Sequence, residues 1–373
     1  MKRNSRIRIL MGAVFLIASG WSCSSSPSKK TLPDDAGAAK KPSIRNLATQ
    51  RVKERLYPES LMGPPLKLRP KKILSAAELA RKIKGCLAAV TAKDETVLKS
   101  CYDDSAVAMQ PFADTKFEGP DSIVAKLYRP AWVAFPDLQG GTELVLIHGR
   151  EVAVLSWGIG THSERLRGLA PTKKTIGVRS LKFWTLTSEG RIRSDISFSD
   201  RFTVLGQLGL YKGPHRAAFR KAPASKGTVV AANSDKERIN LGVVQLAADA
   251  WNQHDLPRYM GYLSETIVLH DMTRPDDILG SEAIEQNAVE VFAAFPDTHT
   301  TLLRTWAAGD YVVSVAELSG TNTGALQSTG LKATGRKFRV LAGVVDRIEN
   351  GKIAEEWLYW DLRSLSEQLG LMP

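Results

Sequence analysis

The sequence predicts an α+β chain built as two tandem cone-shaped domains, each a curved antiparallel-rich sheet wrapped over about three helices. Three observations carry this expectation. An ordered set of motifs recurs at a shift of 160–161 residues. Each copy begins with helical periodicity and continues as long strand-like runs. The period is far longer than that of a solenoid repeat, so the unit repeated is a whole domain.

The repeat is read directly from the residues. Phe135-Pro136-Asp137 returns as Phe295-Pro296-Asp297, and Gly160-Thr161 as Gly320-Thr321. Gly119 matches Gly280, Gly190-x-Ile192 matches Gly351-x-Ile353, and Asp200 matches Asp361. Gln207-Leu208-Gly209-Leu210 returns as Gln368-Leu369-Gly370-Leu371. The copies span 75–211 and 234–373, joined by a basic linker, 212–233, with Lys212, Arg216, Arg220, Lys221 and Lys226 and no acid.

The elements are clearest in the second copy. Ser234 and Glu237 form a capping box, in which each side chain satisfies a free amide at the start of a helix. Leu241, Val244, Ala248 and Trp251 follow at helical spacing. A short helix is expected over 256–263, a β-branched strand over 266–270 and a helix over 281–294 that Pro296 ends. Long strands follow near 299–307, 310–321 and 336–349, with a turn at Asn350-Gly351. A last strand from Lys352 to about Leu362 precedes a short helix. A sheet curved over helices leaves a concave pocket.

Charge and cysteines bound the rest. The net charge of +12 comes from Lys2, Arg3, Arg6 and Arg8 together with a surplus of eight over residues 24–72, so residues 73–373 sum to zero. Positive charge confined to a tether reads as a solvated spacer near an anionic surface. No nucleic-acid motif is present, and no nucleic-acid partner is expected. Lys2–Arg8 and the apolar run Ile9–Gly20 form a targeting segment too short to span a bilayer. With Gly20-Trp21-Ser22-Cys23 and the polar Ser24-Ser25-Ser26-Pro27, it resembles a bacterial lipoprotein signal, in which Cys23 becomes the acylated first residue. The alternative is an ordinary cleaved signal peptide. The expected organisation is a signal peptide over 1–22, then lipidated Cys23 and a disordered basic tether over 23–74. This places the chain at the cell envelope, lipid-anchored at the outer membrane or cell surface. Cys86 and Cys101 are either a disulfide, which an oxidising compartment permits, or two small buried apolar residues.

The second copy carries Trp251-x-x-His254-Asp255, Tyr259, His270-Asp271, Gly280, Phe295-Pro296-Asp297, Gly309-Asp310, Gly320-Thr321, Gly335-Arg336, Glu356-Trp357-x-x-x-Asp361 and Gln368-Leu369-Gly370-Leu371. In order and spacing, nearly all of 236–371 resembles the SnoaL-like polyketide cyclases and related ester cyclases. These belong to the nuclear-transport-factor-2-like and ketosteroid-isomerase-like superfamily. The resemblance implies a cofactor-free acid–base site in which Asp361, closing the last strand, moves a proton. The same aspartate is equally placed to cap the following helix.

Alternation along 353–361 sets Ile353, Glu355, Trp357, Tyr359 and Asp361 on one face, and Glu356, Leu358 and Trp360 on the other. The expected site is therefore Asp361 and His270 as catalytic groups, with Trp357, Tyr359, Asp271, Tyr259 and Trp251 around a small-molecule ligand. His270 is expected to face the cavity and Asp271 to turn outward. His254, His270 and His299 match no metal signature, and neither metal nor organic cofactor is expected. In the first copy Met109, Gln110, Ile196 and Phe198 replace the polar and aromatic set and only Asp200 survives, a degenerate site.

Two functions follow. One is a cyclase or isomerase acting on a small cyclic or polyketide-like molecule in the second copy. The other is a non-catalytic role, binding an apolar molecule or another partner at the envelope. The two copies are expected to pair within one chain as a pseudo-dimer, because the linker holds them at high effective concentration.

Overall fold

The computed structural model describes residues 74–112, 116–326 and 331–372. The expected signal peptide, Cys23 and nearly all of the tether lie outside the described residues.

The first copy opens with α1 (Ala76–Ala92) and α2 (Glu95–Cys101). Next come β1 (Tyr102–Met109), β2 (Lys116–Glu118) and α3 (Pro120–Ile123), which runs through a π-helical turn (Val124–Tyr128) into α4 (Arg129–Ala134). Four strands follow: β3 (Gln139–His148), β4 (Glu151–Thr161), β5 (Thr175–Leu186) and β6 (Ile192–Phe198). Helix α5 (Arg201–Gln207) ends the copy, and β7 (Gly227–Val230) lies in the stretch expected to be linker.

The second copy repeats the plan. It runs α6 (Asp235–Asn252), α7 (Leu256–Gly261), β8 (Leu263–Asp271), β9 (Ile278–Leu279) and α8 (Ser281–Ala294). Then come β10 (His299–Ala308), β11 (Tyr311–Thr321), β12 (Lys337–Glu349), β13 (Lys352–Tyr359) and α9 (Leu362–Gln368). Local chemistry accounts for these boundaries. The Ser234–Glu237 capping box forms as expected and starts α6. Asn350 and Gly351 both take positive φ, 51° and 73°, the conformation that lets a tight turn reverse β12 into β13.

The expectation of cone-shaped, curved, antiparallel-rich sheets needs correction. The sheets are two open mixed ones, ordered β2-β1-β6-β5-β4-β3-β7 and β10-β11-β12-β13-β8-β9, and neither is closed or strongly curled. Both place a parallel pair inside the sheet, β1 with β6 and β13 with β8, and β7 adds a parallel edge strand on β3. The physical reason is the order of elements: a strand preceding the third helical segment has to return beside the last strand, and the crossover makes that pair parallel.

Each sheet buries one face under its own helices. In the second copy Val243, Val244 and Ala247 of α6 pack with Ile267, Val312, Ile348 and Ile353. The first copy's helix-side core is larger and includes Tyr102, Tyr128, Trp132 and Trp184. Cys86 and Cys101 form a disulfide, with their Cα atoms 5.8 Å apart, tying α1 to the end of α2.

The opposite sheet faces meet. A Cβ on Gly343 of β12 would sit 2.9 Å from side-chain atoms of Leu181, Phe183 and Phe198, so only glycine permits this approach. Polar pairs surround the contact. Arg304 bridges to Glu151 at 2.9 Å, and His148 Nδ1 lies 2.9 Å from the Ala307 carbonyl. Lys226 pairs with Glu355 at 3.1 Å. The two repeat-related aspartates exchange caps. Asp200 accepts from Thr203 N of its own helix at 2.7 Å and from Leu362 N of the other copy at 3.1 Å. Asp361 accepts from Ser364 N at 2.8 Å and from Arg201 N at 2.9 Å.

Candidate functional site

Strand β13 sorts the expected residues between two environments. Its register against both β12 and β8 shifts between Ile353 and Glu355. A β-bulge of this kind inserts one residue and re-phases the side chains beyond it. Ile353 therefore joins the helix-side core, off the face expected for it with Glu355, Trp357 and Tyr359, while these three keep the opposite face and Glu356 and Leu358 face the helices.

On the side facing the first copy, His270 stands opposite Trp357 and stacks on it, with ring centroids 5.4 Å apart. His270 Nδ1 lies 2.9 Å from Asp277 and Nε2 3.1 Å from Glu355. Burial works against the imidazolium, but the two carboxylates outweigh it and raise the His270 pKa. Burial likewise opposes the charged forms of Asp277 and Glu355. His270 with Arg216 pulls Asp277 down to about 2, and His270 with Lys226 and Arg347 does the same to Glu355. Lys226 of the linker caps the Trp357 ring at 4.2 Å. Tyr359 is 1% exposed, within the field of Glu143, Arg179 and Arg216 of the first copy and linker.

Asp361 is saturated by donors. Beyond the two amides, its Oδ2 accepts from Ser364 Oγ at 2.8 Å and from Arg201 Nε and Nη2 at 3.0 and 2.7 Å. Of the residues expected around a reacting molecule, Asp361 is bound by Arg201 of the first copy and Tyr359 lies in the field of Glu143 and Arg179, while His270 and Trp357 stack on each other beside Lys226 of the linker. A cleft beside them, lined by Asp200, Arg179, Arg216 and Met272 among others, has room for about one water. Burial, reinforced by the charge of Asp361, pushes Asp200 up to about 6.

The helix side of the same sheet holds Asp271, Tyr259 and Trp251. Asp271 pairs with Leu358 in the parallel register and so lies on the face opposite His270 and Trp357, toward the helices. Three donors converge on its Oδ1: Thr273 N at 3.0 Å, Thr273 Oγ1 at 2.8 Å and Trp360 Nε1 at 3.1 Å. Burial raises its pKa. Tyr259 meets Trp251 edge to face at 5.3 Å, and Trp251 packs on Phe292 at 4.6 Å.

Two groups here escaped the sequence reading as site residues. Asp346 of β12 stands directly opposite Glu356 of β13. Asp346 is 2% exposed, and no described residue donates a hydrogen bond to either carboxyl. Burial and the neighbouring Glu356 charge hold Asp346 well above the carboxylate range, and burial with the Asp271 charge pushes Glu356 up to about 7. Burial and both carboxylates keep the Tyr259 phenol protonated. The signal for Asp346 was available: it is an acid inside the apolar run Val340–Ile348 at a core-facing position.

Glu356, Leu358 and Val344 lie on central strands beneath helices, yet each retains accessible surface. The corresponding face of the first copy is sealed. Trp184 and Asp195 occupy the opposed positions and are fully buried. There Tyr102 donates to Asp195 at 2.7 Å, Tyr128 lies 2.8 Å from Tyr102, and Lys182 reaches Ser197 at 2.8 Å. The carboxylate of the first copy is thus satisfied by its own chain, and that of the second is not.

The family model described as SnoaL-like polyketide cyclase matches this chain twice, over residues 82–208 and 242–369. No curated protein matches it. Solved structures of similar proteins each cover one copy's length. AclR, a putative hydroxylase from Streptomyces galilaeus, is 23% identical over 37% of this chain and 88% of its own, with a TM-score of 0.33. A putative SnoaL-like polyketide cyclase from Jannaschia sp. CCS1 is 18% identical over 38% and 97%, with a TM-score of 0.35. IdmH, a putative polyketide cyclase from Streptomyces antibioticus, is 22% identical over 35% and 98%, with a TM-score of 0.31. Two full-domain matches cover more than half of the sequence, and the chain belongs to the SnoaL-like polyketide cyclase family.

Proposed function

We propose that the second copy binds a small cyclic or polyketide-like molecule between its sheet and helices and performs cofactor-free acid–base chemistry on it, of the cyclase or isomerase type. The observation that carries this reading is the Asp346–Glu356 pair, two facing carboxyls beneath the helices without a hydrogen-bond donor among the described residues. Such a pair shares a proton, because two adjacent buried carboxylates cannot both ionise cheaply. Glu356, titrating near 7, is poised to take a proton from carbon and to return it. Tyr259 stays a phenol and supplies a hydrogen bond to an oxygen on which negative charge develops. Asp271, anchored by Thr273 and Trp360, orients the molecule. The proton-carrying role passes from Asp361 to Glu356, since Arg201 and Ser364 already occupy Asp361.

The test is proton exchange at carbon. Cyclic 1,3-diketones and β-keto esters in heavy water are followed by NMR with purified chain. Exchange above the buffer rate is expected, lost in Glu356→Gln and retained in His270→Gln. A wild-type chain that leaves every probe at the buffer rate returns the second copy to a binding role.

We also propose that the first copy is structural and pairs with the second inside one monomeric chain. The sheet-to-sheet contact at Gly343 and the exchanged caps support this. The chain is further proposed to be exported and held at the envelope by lipid on Cys23. The basic start, the short apolar run and the position of Cys23 support it, as does the Cys86–Cys101 disulfide, which a reducing cytosol does not maintain. Cys23→Ala is expected to move the protein from the membrane to the soluble fraction, and unchanged membrane association of that variant would refute the anchor.

A further inference from the structure

We propose that the cavity of the second copy selects small molecules carrying a protonated amine, seated against Asp346 and Glu356 and walled by Trp251, Tyr259, Phe292 and Trp360. This rests on the site reading above and adds the charge class of the ligand.

Three acids reach the cavity from three strands: Asp271 of β8, Asp346 of β12 and Glu356 of β13. The titratable group facing them from the helices is Tyr259, a phenol. Arg274 acts on Asp271 and is tied to Asn287 Oδ1 at 2.9 Å. Neither Asp346 nor Glu356 forms an ion pair with a described residue. His254 packs against the Phe292 ring and reaches the Thr298 carbonyl, not the acids. Two other acids of this copy are met by cations of the chain, Asp361 by Arg201 and Glu355 by Lys226 and Arg347.

A buried carboxylate without a counter-charge is costly, so a cation from outside gains what no internal partner supplies. An anion meets only repulsion. A neutral molecule leaves the pair holding its shared proton. The aromatic wall adds to the preference, because ring faces attract cations most strongly where water is excluded. Asp346, 2% exposed and unpartnered among the described residues, and the accessible surface kept by Glu356 and Leu358 beneath the helices together mark a place for a bound group.

Seating a cation drives both carboxyls to ionise, so binding releases a proton. The test uses benzylamine, cationic from about pH 5 to about pH 8, with benzyl alcohol and benzoate as neutral and anionic counterparts of the same shape. Calorimetry on the full chain, in buffers of different ionisation heat, reads affinity and protons together. Benzylamine is expected to bind with proton release and to tighten by up to about tenfold per pH unit near neutrality. Asp346→Asn and Glu356→Gln should each weaken it by at least about tenfold while leaving benzyl alcohol unchanged. Both substitutions remove a buried uncompensated acid, so they preserve the fold. Benzyl alcohol or benzoate binding at least as tightly as benzylamine overturns the cation preference and leaves the cavity in place. If none of the three binds, the preference and the cavity reading fail together.

Discussion

Arg201→Ala should lower the unfolding free energy by about 3–5 kcal/mol, a loss typical of breaking a buried ion pair from one side. The Arg201 guanidinium makes two contacts to Asp361 Oδ2, at 3.0 and 2.7 Å, and another to Ser364 Oγ at 3.1 Å. It also lies 4.7 Å from the centre of the Phe112 ring. The Asp361 side chain is only 7% exposed, so removing the arginine strands a charge that water cannot reach. The damage is not local, because Asp361 starts α9 and accepts the first amide of α5, while Asp200 does the reverse. Loosening one cap weakens the docking of both helices. Urea unfolding should show the midpoint falling in Arg201→Ala and much less in Asp361→Asn, which removes the charge but keeps an oxygen for the caps. Equal losses in the two variants would show that the cost comes from losing the ion pair itself and not from the stranded Asp361 charge.

The division of labour around Asp361 also shows how far the sequence could be read. The repeat, the capping box at Ser234 and the strands of the second copy are local or periodic signals, and each element lies within a few residues of its expected position. The faces of β13 were not legible beyond the bulge. Alternation is a rule of period two, and one inserted residue near Ala354 reverses the phase relative to Ile353. Knowing that Trp357, Tyr359 and Asp361 share a face did not reveal what covers that face. A second copy of the same domain covers it, and only the tertiary contact at Gly343 discloses this. The open character of the sheets was hidden for a related reason, since which strand returns beside β13 is a matter of topology. Asp271, Tyr259 and Trp251 share the helix side of the sheet, whereas His270 and Trp357 lie on the opposite face beside Lys226, and Tyr359 near Glu143 and Arg179. The resemblance alone could not make that division.

Glu356→Gln should flatten the dependence of stability on pH between about 4.5 and about 7. The sign follows from proton binding. Burial and the Asp271 charge raise the Glu356 carboxyl from 4.5 to about 7 in the folded chain. Below pH 4.5 both folded and unfolded chains hold the proton, and the group's contribution is fully present. As pH rises the unfolded chain releases the proton first, and the folded chain loses stability by up to about 1.4 kcal/mol per unit. The loss is complete once pH passes the folded value, and Asp346, also raised, extends it in the same direction. Glu355 and Asp277 act the other way at lower pH: their pKa values near 2 add stability as pH climbs toward 4, so the wild-type optimum falls in mild acid. His270, with a raised pKa, adds its own loss above about 6.5. That loss is present in wild type and variant alike and cancels in the comparison. Chemical denaturation across this range should therefore show Glu356→Gln equal to wild type near pH 4.5 and more stable by on the order of 1–3 kcal/mol at pH 7. Parallel profiles would mean that Glu356 is solvated as a carboxylate in the folded chain, and the proton-sharing pair would be lost with it.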